Sequence, residues 1–111
     1  MNKTLETITA KIFLGLREEY TDKVHTLDEV KDFLQEYVNK VGLCVTVTPT
    51  TFIYKGGREE GAIIGLINYP RFPTTREKLK QTAEEIAQLC KKRYKQTRVS
   101  IEYQDQTVML E

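Results

Sequence analysis

The stretch Tyr54-Lys55-Gly56-Gly57-Arg58-Glu59-Glu60-Gly61 constrains the fold more than any other part of this chain. It is a charged, glycine-rich turn set between two apolar runs, and Gly56-Gly57 allows the positive φ values of a tight hairpin. The run after it, Ala62 to Tyr69, is almost continuously apolar, as expected of a central strand buried on both faces. Gly65 in its middle leaves room for something large opposite, either a helix side chain or a ligand. Pro70-Arg71-Phe72-Pro73 then gives the chain a rigid exit.

Elements before and after this hairpin follow from hydrophobic period. Thr7 to Leu16 alternates, with Ile8, Ala10, Ile12, Leu14 and Leu16 on one face, which predicts a half-buried strand. Thr26 to Val41 has three-four spacing through Leu27, Val30, Phe33, Leu34, Tyr37, Val38 and Val41. Thr26 and Glu29 read as a capping box and Gly42 as a left-handed C-cap. Leu43 to Thr48 alternates again. Pro49 marks a bulge or an edge position because it cannot donate to a ladder, and Phe52-Ile53-Tyr54 continues the strand. Thr74 to about Tyr94 is a second helix, capped by Thr74 and Glu77, with Lys91, Lys92, Arg93 and Lys95 at its C-terminal end. Arg98 to Tyr103 is a strand, and Thr107 to Leu110 reads as a short extra C-terminal strand.

The order is strand, helix, strand, hairpin, strand, helix, strand. It predicts an α+β, ferredoxin-like βαββαβ sandwich, an antiparallel sheet with both helices on one face. With 111 residues and no linker, residues 1–111 form a single domain. The second sheet face would carry Phe13, Thr46, Phe52 or Tyr54, and Leu66. A face that apolar calls for a partner, so a homodimer or higher homo-oligomer is expected.

Charge narrows the function classes. The 17 basic and 16 acidic residues leave a net charge of +1, which argues against a general nucleic-acid binder. No apolar run approaches the roughly 18 to 20 residues of a membrane span, and Met1 to Lys11 lacks a signal-peptide core. A cytoplasmic location is the expectation, with Cys44 and Cys90 as buried free thiols. Two cysteines and one histidine, widely spaced, make no metal pattern, so neither a metal nor another cofactor is expected. The glycine-rich turn lacks the Walker spacing and no helix follows it, so it reads as a hairpin rather than a phosphate loop.

His25, one place before the Thr26 cap, reads first as a staple packing on Val30. The alternative makes it a general base paired with Asp22 or Asp28, but no nucleophile accompanies it. The richest cluster is Asn68-Tyr69-Pro70-Arg71-Phe72-Pro73, at a strand end before a helix N-terminus. Arg71 can fork onto phosphate, Tyr69 and Phe72 can stack on a base, and Asn68 can hydrogen-bond to a base or ribose. Arg58 on the hairpin could reach an anion bound at a subunit interface.

The layout, with an opening strand Lys11-Ile12-Phe13-Leu14-Gly15-Leu16, an amphipathic helix, a glycine-rich hairpin and a second helix, resembles small bacterial and phage α+β proteins. It is similar to the phage Thoeris anti-defence proteins that sequester cyclic ADP-ribose signals. The resemblance implies a small, non-catalytic, oligomeric protein that holds a nucleotide at subunit interfaces, and it transfers no binding residue. Together with the residues above, it leads to a non-enzymatic sequestering protein for an anionic, nucleotide-like ligand contacted by Arg58, Asn68, Tyr69, Arg71 and Phe72. The alternatives are a protein-interaction module and a dimeric α+β-barrel enzyme using His25 or Tyr20.

Overall fold

The computed structural model describes residues 2–111. Its elements run β1 (Thr9–Gly15), α1 (Leu27–Val41), β2 (Val45–Tyr54), β3 (Gly57–Ile67), α2 (Arg76–Arg93), β4 (Val99–Tyr103) and β5 (Thr107–Leu110). The five strands form one antiparallel sheet in the order β2-β3-β1-β4-β5. This is the ferredoxin-like arrangement, with β5 added beside β4. Among the described residues no helix is long and apolar enough to cross a membrane.

The alternation of β1 decides which face is covered. Ala10, Ile12 and Leu14 are almost wholly buried and pack with Ile64, Ile101, Val30, Leu34, Leu79, Ala83 and Ile86 in the core between sheet and helices. Apolar burial of this kind is the main favourable contribution to folding. Leu66 belongs to that core, paired with Ala10 and Val45, and not to the second face where its run was expected to place it. The reason is the pleat: partners across an antiparallel pair share a face, and Ala10 faces the helices. The open face instead carries Phe13, Ile63 and Phe52, interspersed with Lys11, Thr46, Thr48 and Glu102.

Helix boundaries follow capping chemistry. Thr26 accepts from the Glu29 amide at 3.1 Å while Glu29 accepts from the Thr26 amide at 2.6 Å, and Gly42 closes α1 at φ 70°. At α2 the cap is Thr75, which accepts from the Lys78 amide at 3.2 Å, one residue later than expected. Thr74 is drawn elsewhere, its amide donating to the Asn68 side chain at 2.8 Å.

Glycines set the hairpin. Gly56 takes φ 85°, whereas Gly57 does not enter the left-handed region, so a single residue supplies the turn. Gly65 makes room for the Thr46 side chain across the ladder, not for a helix or a ligand. Gly61 lies under the Phe52 ring, which also meets Phe13 edge-on at 6.5 Å. Pro49 sits on β2, an edge strand, where a missing donor is tolerated. Of the two cysteines, Cys90 is buried and its thiol is pushed up to about 12 by burial, but Cys44 is exposed, contrary to expectation. It falls in the alternation of Thr46 and Thr48, which face the open side, while Val45 and Val47 pack toward the core.

The hairpin is longer than the strand it leans on. Gly15↔Gly61 is the last β1–β3 pair, yet β2 and β3 continue through Thr51↔Glu60, Phe52↔Glu59, Ile53↔Arg58 and Tyr54↔Gly57. Those four pairs overhang the sheet by about 13 Å, in a molecule measuring 50 × 29 × 23 Å. Gly61→Ala is expected to destabilise the fold by about 1–3 kcal/mol, because its new methyl group would strike the Phe52 ring and the Leu14 carbonyl. A urea midpoint unchanged from that of the parent chain would show that the close approach does not matter.

Candidate functional site

At the root of the overhang, β1 ends and the chain leaves the sheet as a compact loop, residues 16–25. Leu16 donates its amide to the Glu60 carbonyl at 3.2 Å, and the His25 amide donates to the Leu16 carbonyl at 2.7 Å, so the loop closes on itself. Arg17 bridges to Val24, and the Glu18 amide donates to Lys23 at 2.9 Å. The Thr21 amide donates to the Glu18 carbonyl at 3.2 Å, which turns the chain. Tyr20 at this turn has φ 60° and is 95% exposed. A left-handed tyrosine costs on the order of 1–2 kcal/mol, so the surrounding hydrogen bonds must hold it there.

The segment before β4 completes the enclosure. The Gln96 side chain donates to the Arg17 carbonyl at 2.7 Å and to the Tyr94 carbonyl at 2.9 Å. Gly15 allows this, since a Cβ there would stand 2.7 Å from the Gln96 side-chain oxygen. Between loop, hairpin and this segment lies a cavity of about 540 Å³, lined by Arg17, Tyr20, Asp22, Glu59, Gln96 and Arg98 among others. That volume lies within the range of small-molecule sites, about 300–1,000 Å³.

Glu59 is the organising group. Its carboxylate pairs with the Arg17 guanidinium and accepts from the Tyr54 hydroxyl at 3.0 Å. The bond to Glu59 and its charge hold the Arg17 guanidinium above its ordinary value. The bond to Glu59 likewise raises the Tyr54 phenol, with burial and the Glu59 charge adding to it and the Arg17 charge opposing. The result is a fixed carboxylate flanked by a cation and a phenol, with Arg98 and Asp22 lining the same space. Such a site suits a polar ligand carrying charges of both signs.

The residues expected to bind ligand do not converge within one chain. Arg58 is on the overhang, paired with Ile53. Asn68 lies ten positions along from it, about 33 Å in an extended strand. Asn68 is buried, its amide nitrogen donating to the Glu6 carbonyl at 3.0 Å and its oxygen accepting from Thr74. Its side chain is therefore occupied in tying the N-terminal segment to the entry of α2. Tyr69 and Phe72 line a second, smaller cavity of about 120 Å³ at this far end, with Cys44, Pro73 and Leu79. Arg71 lies over the Phe72 ring at 5.9 Å.

The larger cavity went unforeseen because its residues are scattered along the chain: 17, 22, 59, 96 and 98 meet only after folding. The overhang was hidden as well, because Gly57 to Gly61 reads as turn and forms strand. The ring nitrogens of His25 pair with neither Asp22 nor Asp28. Its ring lies between Glu18 and Glu29, with Nε2 at 3.0 Å from Glu18 and Nδ1 at 3.3 Å from Glu29.

No protein-family model matches the chain, and comparison with curated proteins gives no match. Among solved structures, a phage SAM (S-adenosylmethionine) lyase in the apo state matches with a TM-score of 0.81 at 18% identity, covering 99% of this chain and 94% of that one. A phage SAM lyase in complex with S-methyl-5′-thioadenosine matches at 0.77 and 15% identity, over 99% and 93%. The similarity to phage proteins that bind a small ligand therefore holds, whereas neither neighbour is a cyclic ADP-ribose binder by description. The expectation of a non-enzymatic protein is corrected by the same finding, since the proteins sharing this fold across 99% of the chain are enzymes. The physical reason is that a sulfonium substrate carries its own leaving group. A lyase for it needs no serine, cysteine or metal signature of the kind whose absence suggested a binder.

If Glu59 raises the Tyr54 phenol, Glu59→Gln will bring the Tyr54 titration back toward the ordinary tyrosine value of about 10. NMR of the Tyr54 ring carbon against pH reads this directly, and identical curves for parent and variant would break the proposed coupling.

Proposed function

We propose that this chain is a lyase for S-adenosylmethionine, acting in the cavity at the root of the overhanging hairpin. The observation that supports this reading is the fold match over 99% of the chain to such a lyase, both free and holding the thioether S-methyl-5′-thioadenosine. That thioether is what remains of S-adenosylmethionine when the bond from sulfur to the methionyl Cγ breaks. The bonding pair goes to sulfur, and the sulfonium becomes neutral.

The four-carbon fragment can be completed in two ways that balance. Its own carboxylate oxygen can close on Cγ and give a lactone, with no proton transferred. Otherwise a Cβ proton leaves to a base and gives an alkene. Neither route consumes water, which distinguishes a lyase from a hydrolase.

The cavity offers groups for each part of this substrate. Arg98 can fork onto the methionyl carboxylate. Glu59, fixed by Arg17 and Tyr54, and Asp22 can face the sulfonium and ammonium. Charge is annihilated when a carboxylate closes on a sulfonium-bearing chain, so the step gains from dry surroundings more than from a counter-charge. The carboxylates therefore serve binding and orientation, while exclusion of water serves the rate.

A single chain leaves this cavity open, and that supports assembly as a homo-oligomer. The overhang exposes Tyr54 at 51% on the same face as Phe13 and Ile63, and Ile53 at 73% on the opposite face of the ribbon. A neighbouring copy that wraps the ribbon would cover Tyr54 and the cavity mouth on one face and would meet Ile53 and Arg58 on the other. An anti-defence role in a phage would act by destroying a nucleoside-containing metabolite rather than by holding one.

Incubating the purified chain with S-adenosylmethionine in isotopically labelled water should yield S-methyl-5′-thioadenosine and an unlabelled four-carbon product by mass spectrometry. Unchanged substrate, or heavy oxygen bonded to Cγ of the product, would overturn the reading. Arg98→Ala is expected to weaken S-adenosylmethionine binding about tenfold, a loss of about 1.4 kcal/mol, while sparing the thioether, which has no carboxylate. Arg71→Ala, at the far end of the sheet, should change neither. Equal losses for both ligands in Arg98→Ala would remove Arg98 from the methionyl end. Light scattering on Ile53→Asp should show a smaller assembly than the parent forms, and identical masses would exclude the hairpin as the contact.

A further inference from the structure

His25 is the chain's one histidine and plays no direct part in the cavity, yet its surroundings are highly organised. Its ring is 8% exposed and lies between two carboxylates from different elements. Nε2 faces Glu18 of the loop at 3.0 Å, and Nδ1 faces Glu29 of α1 at 3.3 Å. Tyr94, at the end of α2, packs edge-on against the ring at 4.9 Å and donates its hydroxyl to the Glu29 carbonyl at 3.3 Å. Two cations complete the set, Lys23 Nζ at 3.3 Å and Lys95 Nζ at 3.7 Å from Glu18.

Glu18 is itself buried, which pushes its carboxyl up. Lys23, Lys95 and His25 together outweigh that and hold it below the usual range. Glu29 is also lowered, first by the Thr26 amide and then by His25. Both acceptors are thus carboxylates at neutral pH, and only an imidazolium can donate to both. A neutral ring has one N–H, so its other nitrogen would present a lone pair to a carboxylate oxygen.

We infer that His25 is a positioning residue: its imidazolium clamps the loop of residues 17–24 to α1, and this clamp sets Arg17, Tyr20 and Asp22 on the cavity. The inference rests on the reading of that cavity as the ligand site. Loss of the ring proton removes one of the two bonds while Lys23 and Lys95 still neutralise Glu18, so the loop loosens and the fold survives. Ligand binding should then be tighter on the acid side of the imidazole range than on the basic side.

The test uses the full chain at about pH 5.5 and about pH 8, either side of ordinary imidazole titration. Amide hydrogen exchange across residues 17–24, corrected for intrinsic rates, reads the loop without ligand. Calorimetry with S-methyl-5′-thioadenosine reads the site. In the parent chain, loop protection and affinity are expected to fall together at the higher pH, on the order of tenfold for one charge-assisted bond. His25→Gln, neutral throughout, should lose that dependence. Glu29→Gln retains the capping box but removes one carboxylate, and should show it weakened. The same pH response in His25→Gln as in the parent would overturn the inference, as would a loop that loosens with no change in affinity. A loop that responds to pH and His25 while no ligand binds at either pH would sink the cavity reading and leave the clamp supported.

Discussion

The site depends on a mismatch of strand lengths. β1 spans Thr9–Gly15, whereas its partner β3 spans Gly57–Ile67 and is carried further by β2. Had β1 continued alongside, the outer edge of β3 would be paired and no recess would exist. Because β1 stops, the chain turns away at Leu16, Arg17 falls opposite Glu59, and a step opens beside a projecting ribbon. Two glycines maintain this step. Gly15 admits the Gln96 side chain that ties loop to sheet, and Gly61 lets Phe52 fold over the point where the ribbon leaves the body. An isolated two-stranded ribbon is marginal in water, so the Phe52–Phe13 contact anchors it to the sheet.

The loop is built more firmly than its polarity suggests. A segment with Glu18, Glu19, Asp22 and Lys23 in sequence reads as a solvated connection, yet Glu18 and His25 are both buried. Burial of charge is tolerated only with close partners of opposite sign. Here the partners come from the loop itself, from α1 and from the segment after α2, so the loop is joined to α1 and to the end of α2. The exposed, left-handed Tyr20 stands at the tip of this frame.

Where the period of the sequence matched the geometry, the fold was legible. The alternation in β1, the Thr26–Glu29 box and the Gly42 cap each encode a local structure with a local cause, and each appears as expected. The Ala62 to Tyr69 run was harder. An unbroken apolar run carries no alternation, so its register could not be read and Leu66 was assigned to the wrong side. The strand is deeply buried on its helix side only, not on both faces as expected. Asn68 misled for a different reason. An asparagine before a helix looks like a ligand group, but its two hydrogen bonds reach Glu6 and Thr74, and the first of these lies 62 positions away. Arg17, Glu59 and Arg98 were invisible as a set because nothing in a single sequence marks residues so far apart as neighbours.

The absence of a catalytic signature was read too strictly, and the chemistry explains why. Signatures exist for reactions in which the protein must supply a nucleophile, a metal or a tuned proton donor. For the substrate proposed here, the sulfonium is already a good leaving group, and on the lactone route the substrate's own carboxylate would supply the attacking oxygen at high effective concentration. On that proposal, what would remain for the protein is to hold a flexible chain in a bent form and to exclude water. Ordinary arginines, carboxylates and tyrosines suffice for the first task, and an apolar partner surface suffices for the second. Both leave traces in shape rather than in motif: a recess lined by mixed charge and, beside it, an exposed apolar ribbon. On this chemistry a polar cavity, open in the single chain, is what an enzyme completed by its own copies would present.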